Sequence, residues 1–190
     1  MDRDAALQIV NEHVSQENLV HHMLAVEAAM RDYAVRLGED PDLWGLAGLL
    51  HDYDWEIHPT LDSHPQDGAQ LLRERGVPEA VVTCILSHAD HTGVPRETPM
   101  QKGLFACDEL TGLITAVALV RPSKSLLDVK LKSVRKKWKD SRFAAGVDRE
   151  EVEQATEDFG VPLDEHIQNV LDSMKRIAPE LGLAGEAASN

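Results

Sequence analysis

The sequence predicts an all-α protein, and two observations carry that expectation. Strand signals are nearly missing: aromatic residues make up 4% of the 190 residues, and no run of alternating β-branched residues is long enough to form a strand. Helical spacing of apolar residues recurs through most of the chain instead. It is punctuated by starts and stops such as Asp40-Pro41, Thr98-Pro99, Gly38 and Gly76.

Residues 3–13 have the pattern of a short amphipathic helix. Ser15 or Asn18 caps a longer one that runs to Leu37 and stops at Gly38. Within it Met23, Val26, Met30, Tyr33 and Leu37 recur at intervals of three and four and mark a buried stripe. His22 lies beside that stripe, one turn from Leu19 and Val26, and so faces inward; His21 is rotated about 100° toward Glu17 and Ala25. An inward histidine is either a hydrogen-bonded core residue or a ligand.

Asp40-Pro41 opens a helix that ends near His51. Ala47 and Gly48 are small enough to let another helix come close, and Leu49 and Leu50 pull the segment inward. His51 and Asp52 then arrive together at its buried end, where neither is stable unpaired. Residues 53–62 read as a loop broken by Pro59, and Asp62 or Ser63 caps a helix over 65–75. Pro78 opens the next helix, with Val81, Val82, Ile85 and Leu86 apolar and Ser87-His88-Ala89-Asp90-His91 at its end. In the loop that follows, Arg96 stands either at the mouth of a site or in water. Thr98-Pro99 begins the most apolar helix, 100–120, where Asp108 and Glu109 are the only charges after Lys102. A carboxylate in such a helix needs a partner. Further helices are predicted over 125–139, 148–159 and 162–177, and residues 182–190 read as a frayed end.

Several of these stretches together resemble the HD-domain metal-dependent phosphohydrolases. His22-Met23-Leu24-Ala25-Val26-Glu27 resembles the first-helix motif of that family, a His followed four residues later by Val. Leu49-Leu50-His51-Asp52 resembles its closing His-Asp. His64-Pro65-Gln66-Asp67-Gly68-Ala69 is similar to the His-Pro-x-x-Gly-Ala element of members with a second metal, and His88 matches the position of their fourth His. Ala106-Cys107-Asp108-Glu109-Leu110 resembles the terminal Asp motif. The resemblance covers roughly residues 15–120. It implies an HD-type helical bundle over 1–120, leaving 121–180 as a helical extension packed on that core and 181–190 as a flexible tail. It also implies that His22, His51, Asp52, His64, His88 and Asp108 hold one or two divalent ions (Mn, Fe, Mg, Co or Zn), with Asp52 the natural bridge and Asp52 and His51 at the catalytic centre. His21, His58, His91 and His166 receive no metal role.

Composition limits what such a site serves. The chain is 43% hydrophobic and 27% charged, as expected of one globular domain. No apolar signal region follows Met1, and the longest weakly charged run, 103–120, still contains Asp108 and Glu109, so no membrane span is expected and a cytoplasmic location is. Cys84 and Cys107 read as reduced core thiols. The net charge of −14 makes nucleic acid an unexpected partner, yet residues 121–142 hold nine Lys and Arg against Asp128 and Asp140, a local +7 that leaves −21 elsewhere. That segment is either an anion site or a solvated helix face. Arg121, Lys124 and Arg96 are the cations assigned to substrate phosphates, although Lys124 beside a helix end equally suits carbonyl capping. The resemblance implies phosphohydrolysis of a nucleotide or small phosphorylated metabolite through a metal-activated water. Alternatives are a di-iron HD-type oxygenase and a non-catalytic HD binding module.

Overall fold

The computed structural model describes residues 1–185. Among these the chain forms α1 (Arg3–His13), α2 (Glu17–Leu37), α3 (Pro41–Leu50), α4 (Gln66–Glu74), α5 (Glu79–Ser87), α6 (Pro99–Leu119), α7 (Leu131–Trp138), α8 (Arg149–Phe159) and α9 (Leu163–Arg176). Short 3-10 turns occur at Asp90–Thr92 and Leu126–Asp128, and the extended pairing among the described residues is an isolated bridge between Ser125 and Ala184. The protein is all-α, as its sequence predicts. None of the described helices is long and apolar enough to cross a membrane.

Two compact units divide between Phe105 and Ala106, inside α6. The composition changes later, at Arg121, because α6 is one uninterrupted apolar helix whose sequence carries no mark at the division.

In the first unit α2 packs on α3, α3 also meets α1 and α5, and α4 meets α5. Met23, Val26, Met30 and Tyr33 of α2 are buried as their spacing predicts, with Leu46, Leu49 and Leu50 of α3 opposite, whereas Leu37 is 50% exposed and lies beyond the stripe. Each fully buried leucine contributes about 1.5–3 kcal/mol. Gly48 sets how closely α2 and α3 approach. A Cβ there would sit 2.8 Å from Glu27 N and Cα and 2.9 Å from Val26 C, so backbone meets backbone at this crossing. Glu27 is itself buried and ties α1 to α2, accepting from Arg3 Nε and Nη2 at 2.7 and 2.9 Å and from Arg31 Nε at 2.9 Å. Arg31 reaches on to Asp42 at 2.8 Å.

Capping departs from expectation at α2. Neither Ser15 nor Asn18 caps it; Gln16 is the N-cap and makes no side-chain bond. Glu56 takes that role from a distant loop, its carboxylate accepting from Ser15 N at 3.0 Å and Gln16 N at 2.7 Å. Those N–H groups, Gln16 first, hold the Glu56 carboxyl below its usual range. A negative charge at a helix N-terminus is favourable wherever in the chain it originates.

The second unit, from Ala106 onward, buries Leu110, Leu113 and Ile114 of α6, Val134 of α7, Val152 of α8 and Ile167, Val170 and Leu171 of α9. The helix predicted over 125–139 is broken in two. Ser125 Oγ accepts from Leu127 N at 3.2 Å and caps the 3-10 turn, Val129 and Lys130 are extended, and α7 begins only at Leu131. Serine offers the backbone this local alternative to a helix. Residues 181–185 are not frayed either: Leu181 and Leu183 are buried, and Leu126 N donates to Leu183 O at 2.8 Å. The remainder of the predicted tail, 186–190, lies outside the described residues. His166 is wholly buried, donates from Nε2 to Ala106 O at 2.8 Å, and is pushed down to about 4 by burial. It is a neutral core histidine. Cys84 and Cys107 are free and buried, and burial raises both thiols.

The α2–α3 crossing yields a direct prediction. Gly48→Ala should destabilise the protein by about 1–3 kcal/mol in urea denaturation, because overpacking against backbone outweighs alanine's helix propensity. Gly112→Ala, where a Cβ meets nothing within 4 Å, should be neutral or stabilising by up to about 1 kcal/mol. Equal effects at the two positions would contradict the close crossing.

Candidate metal centre

The crossing at Gly48 brings two histidines face to face. His22 lies one turn before Val26 on α2, His51 lies one turn beyond Gly48 at the end of α3, and their Nε2 atoms are 3.2 Å apart. His51 is fully buried, and its Nδ1–H donates to Gly48 O at 2.9 Å. That carbonyl belongs to the last turn of α3, which has no intrahelical partner to offer it. The imidazole satisfies it and aims Nε2 past the helix end. His88 repeats the device as the C-cap of α5, donating from Nδ1 to Ile85 O. His64, just ahead of α4, uses a carboxylate instead: its Nδ1 meets Asp54 Oδ1 at 2.8 Å. His91 Nε2 donates to His64 O at 2.8 Å and so steadies that segment, committing the nitrogen to a carbonyl.

All four Nε2 atoms converge on Asp52, and they do so in pairs. His51 and His22 lie 3.4 and 3.8 Å from Oδ2. His64 and His88 lie 3.3 and 3.6 Å from Oδ1 and 3.4 Å from each other. Burial alone would raise the Asp52 carboxyl, but the imidazoles of His51, His64 and His88 outweigh it and hold it well below the usual carboxylate range. Burial likewise opposes charge on His64, yet its bonds to Asp52 and Asp54 lift it to about 9.

These donors fit a divalent ion. A carbonyl oxygen can only accept, so His51 and His88 carry their proton on Nδ1 and present Nε2 lone pairs to the carboxylate. Lone pairs and a carboxylate oxygen at such distances repel one another unless a cation, proton or metal, lies among them. Two ligands each about 2.1 Å from one ion stand about 3 to 3.5 Å apart, close to the spacings found. Asp52, His64 and His88 each offer an atom within 4.8 Å of the others. An all-nitrogen-and-oxygen set suits Mn, Fe, Co or Zn with open positions, and excludes a thiolate site.

Of the residues singled out by sequence, the structure brings together His22, His51, Asp52, His64 and His88 in the first unit. Asp108, Arg121 and Lys124 belong to the second unit. There Asp108 is half-buried on α6, Arg121 Nη1 faces Ser133 Oγ at 3.5 Å, and Lys124 is exposed in a turn with φ 45°. Arg96, in the first unit, is engaged by its neighbours. Its guanidinium donates to Ser87 O at 2.8 Å and Asp90 Oδ1 at 2.6 Å and stacks 3.6 Å from the Phe105 ring centroid. It clamps the end of α5.

Asp54 was not foreseen as part of the centre. It is fully buried, its Oδ2 has no hydrogen-bond partner, and a Cβ at Gly68 would come within 2.3 Å of that atom. Gly68 is therefore glycine to make room for the carboxylate behind His64, and the Gly of the His-Pro-x-x-Gly-Ala element was the signal that could have pointed to it.

A helical bundle whose buried histidines close on one aspartate defines a class, and the comparison with family models agrees: residues 19–113 match the HD domain. The chain belongs to the HD domain family, within the metal-dependent phosphohydrolase superfamily. Among curated proteins it is similar to ribonuclease Y of Lactobacillus acidophilus, 32% identical over 96 residues, 50% of this chain and 17% of that one. Ribonuclease Y of Lactobacillus gasseri is 31% identical over 96 residues, with the same shares, 50% and 17%. Ribonuclease Y of Latilactobacillus sakei subsp. sakei is 28% identical over 172 residues, 82% of this chain and 31% of the relative. The chain thus spans between 17 and 31% of the length of these relatives. No solved structure matches it.

The charge on His64 makes metal binding compete with a proton. Since its value is about 9, metal affinity should rise about tenfold per pH unit from 7 to 9 and then level. Titration calorimetry at pH 7.5 in two buffers of different ionisation enthalpy should show about one proton released per ion bound at His64. Asp54→Asn should reduce that release and weaken metal binding about 10- to 100-fold. Metal binding without proton release would contradict the account of His64.

Proposed function

We propose that this protein is a metal-dependent phosphohydrolase acting on a nucleotide or another small phosphorylated metabolite, with His22, His51, Asp52, His64, His88 and Asp108 as metal ligands. The observation that carries the reading is the sorting of four Nε2 atoms into two pairs, one on each oxygen of Asp52. Such an arrangement suits two ions with Asp52 between them. When bound, two divalent ions supply Lewis acidity toward a phosphoryl oxygen and lower the pKa of water.

The chain's own residues prepare the site. Bonds from Nδ1 to Gly48 O, Ile85 O and Asp54 Oδ1 lock three imidazoles in one tautomer and one orientation. Lys124 is the proposed phosphate-binding cation. Lys124 holds φ 45°, an uncommon backbone state for a non-glycine residue and one that recurs at ligand clamps. Arg121, whose Nε is buried without a hydrogen-bond partner, is proposed to assist it. The ribonuclease names of the relatives support phosphoester hydrolysis over carbon-bond oxidation by a di-iron centre, and the net charge of −14 favours a small substrate over RNA.

The test is phosphate release from a panel of nucleotides, dinucleotides and sugar phosphates with added Mn, Mg, Co or Fe. Asp52→Asn should lower the turnover number by more than the roughly 100-fold typical of losing an outer-sphere partner. Lys124→Ala should raise KM more than it lowers kcat. Phosphate release by the Asp52→Asn protein at the parental rate would sink the reading.

A further inference from the structure

Nine large hydrophobic residues are exposed among the described ones, and three of them fall within one short stretch: Trp55 at 38%, Ile57 at 45% and Leu61 at 62%. Of the three tryptophans, Trp44 and Trp138 are buried, so Trp55 alone leaves its ring partly open. The exposure is not that of a loose loop. Glu56 is bonded to Ser15 and Gln16, Tyr53 Oη donates to Gly68 O at 2.6 Å, and Ile57 N and His58 N both donate to Asp54 O, at 3.0 and 2.7 Å. The residues on either side of Trp55 are thus tied to α2 and to the wall of the metal centre.

Its position gives this apolar rim a purpose. The Trp55 and His64 ring centroids are 4.9 Å apart at an interplanar angle of 89°, and His64 Nε2 is 3.3 Å from Asp52 Oδ1. A ligand with its phosphate at Asp52 would have the Trp55 indole within reach of its remaining atoms. A purine or pyrimidine ring has a π-face that stacks on indole whatever its base identity.

Resting on the phosphohydrolase reading, we propose that Trp55 is the platform for the base of a nucleoside phosphate, and that it favours nucleotides over phosphorylated ligands that carry no base. Trp55 determines specificity and takes no part in bond breaking.

The experiment compares two hydrolysis-resistant probes, α,β-methylene-ADP and methylenediphosphonate, which share the phosphate mimic and differ by the nucleoside. Binding of each is measured by calorimetry with Mn present. The parent protein should bind methylene-ADP about 5- to 150-fold more tightly, the range expected of one stacked base. Trp55→Ala should erase that advantage while leaving methylenediphosphonate affinity unchanged, and Trp55→Phe should keep most of it. A nucleoside advantage that survives Trp55→Ala, or equal loss of both ligands in that variant, would overturn the role of Trp55. Failure of the parent protein to bind either probe would overturn the phosphohydrolase reading and this proposal with it, whereas equal affinity of the parent for both would overturn this proposal alone.

Discussion

The structure of the first unit depends on one electrostatic constraint: four imidazole nitrogens stand around a single carboxylate in a place that is mostly closed to water. Such a cluster is not stable as four neutral rings and a bare anion, since lone pairs at these distances repel. Positive charge has to be supplied. Without metal the protein supplies it as a proton on His64, raised by Asp52 and Asp54. With metal, the same geometry exchanges that proton for an ion. The Nδ1 hydrogen bonds to Gly48 O, Ile85 O and Asp54 Oδ1 fix the orientation of three of the rings.

That orientation descends from ordinary features of helices. The last turn of a helix leaves carbonyls without partners; at the end of α3 His51 fills this need through Nδ1, and at the end of α5 the His88 ring joins its own backbone N–H on Ile85 O. The leftover nitrogen then necessarily points beyond the helix. Gly48 adds the third dimension by letting α3 lie on the backbone of α2, so that His51 meets His22 and not open solvent. Glu27, held by Arg3 and Arg31, braces the same crossing from its other side. Structural and functional demands thus fall on the same few positions.

Much of this was legible in the sequence because it rests on local rules. Helix starts at Asp40-Pro41 and Thr98-Pro99, the stop at Gly38 and the inward turn of His22 all follow from periodicity and capping. What escaped depends on contacts between distant residues. Glu56 caps α2 from 40 residues away, and no local pattern announces it. Asp54 looked like one more loop carboxylate, because its burial is decided by Gly68. Arg96 looked like a free cation, and its engagement by Ser87, Asp90 and Phe105 appears only once the turn after α5 has closed. The break in the basic segment had a visible cause, Ser125, but the competing helical pattern on either side hid it.

The central claim is that Asp52 lies between two metal positions, each served by its own pair of histidines. Titration of the metal-free protein with Mn(II), followed by electron paramagnetic resonance, tests it most directly. The account predicts uptake of two ions per chain with an exchange-coupled spectrum, and loss of that coupling in Asp52→Ala. A magnetically isolated signal that saturates at one ion per chain, unchanged by Asp52→Ala, would contradict it.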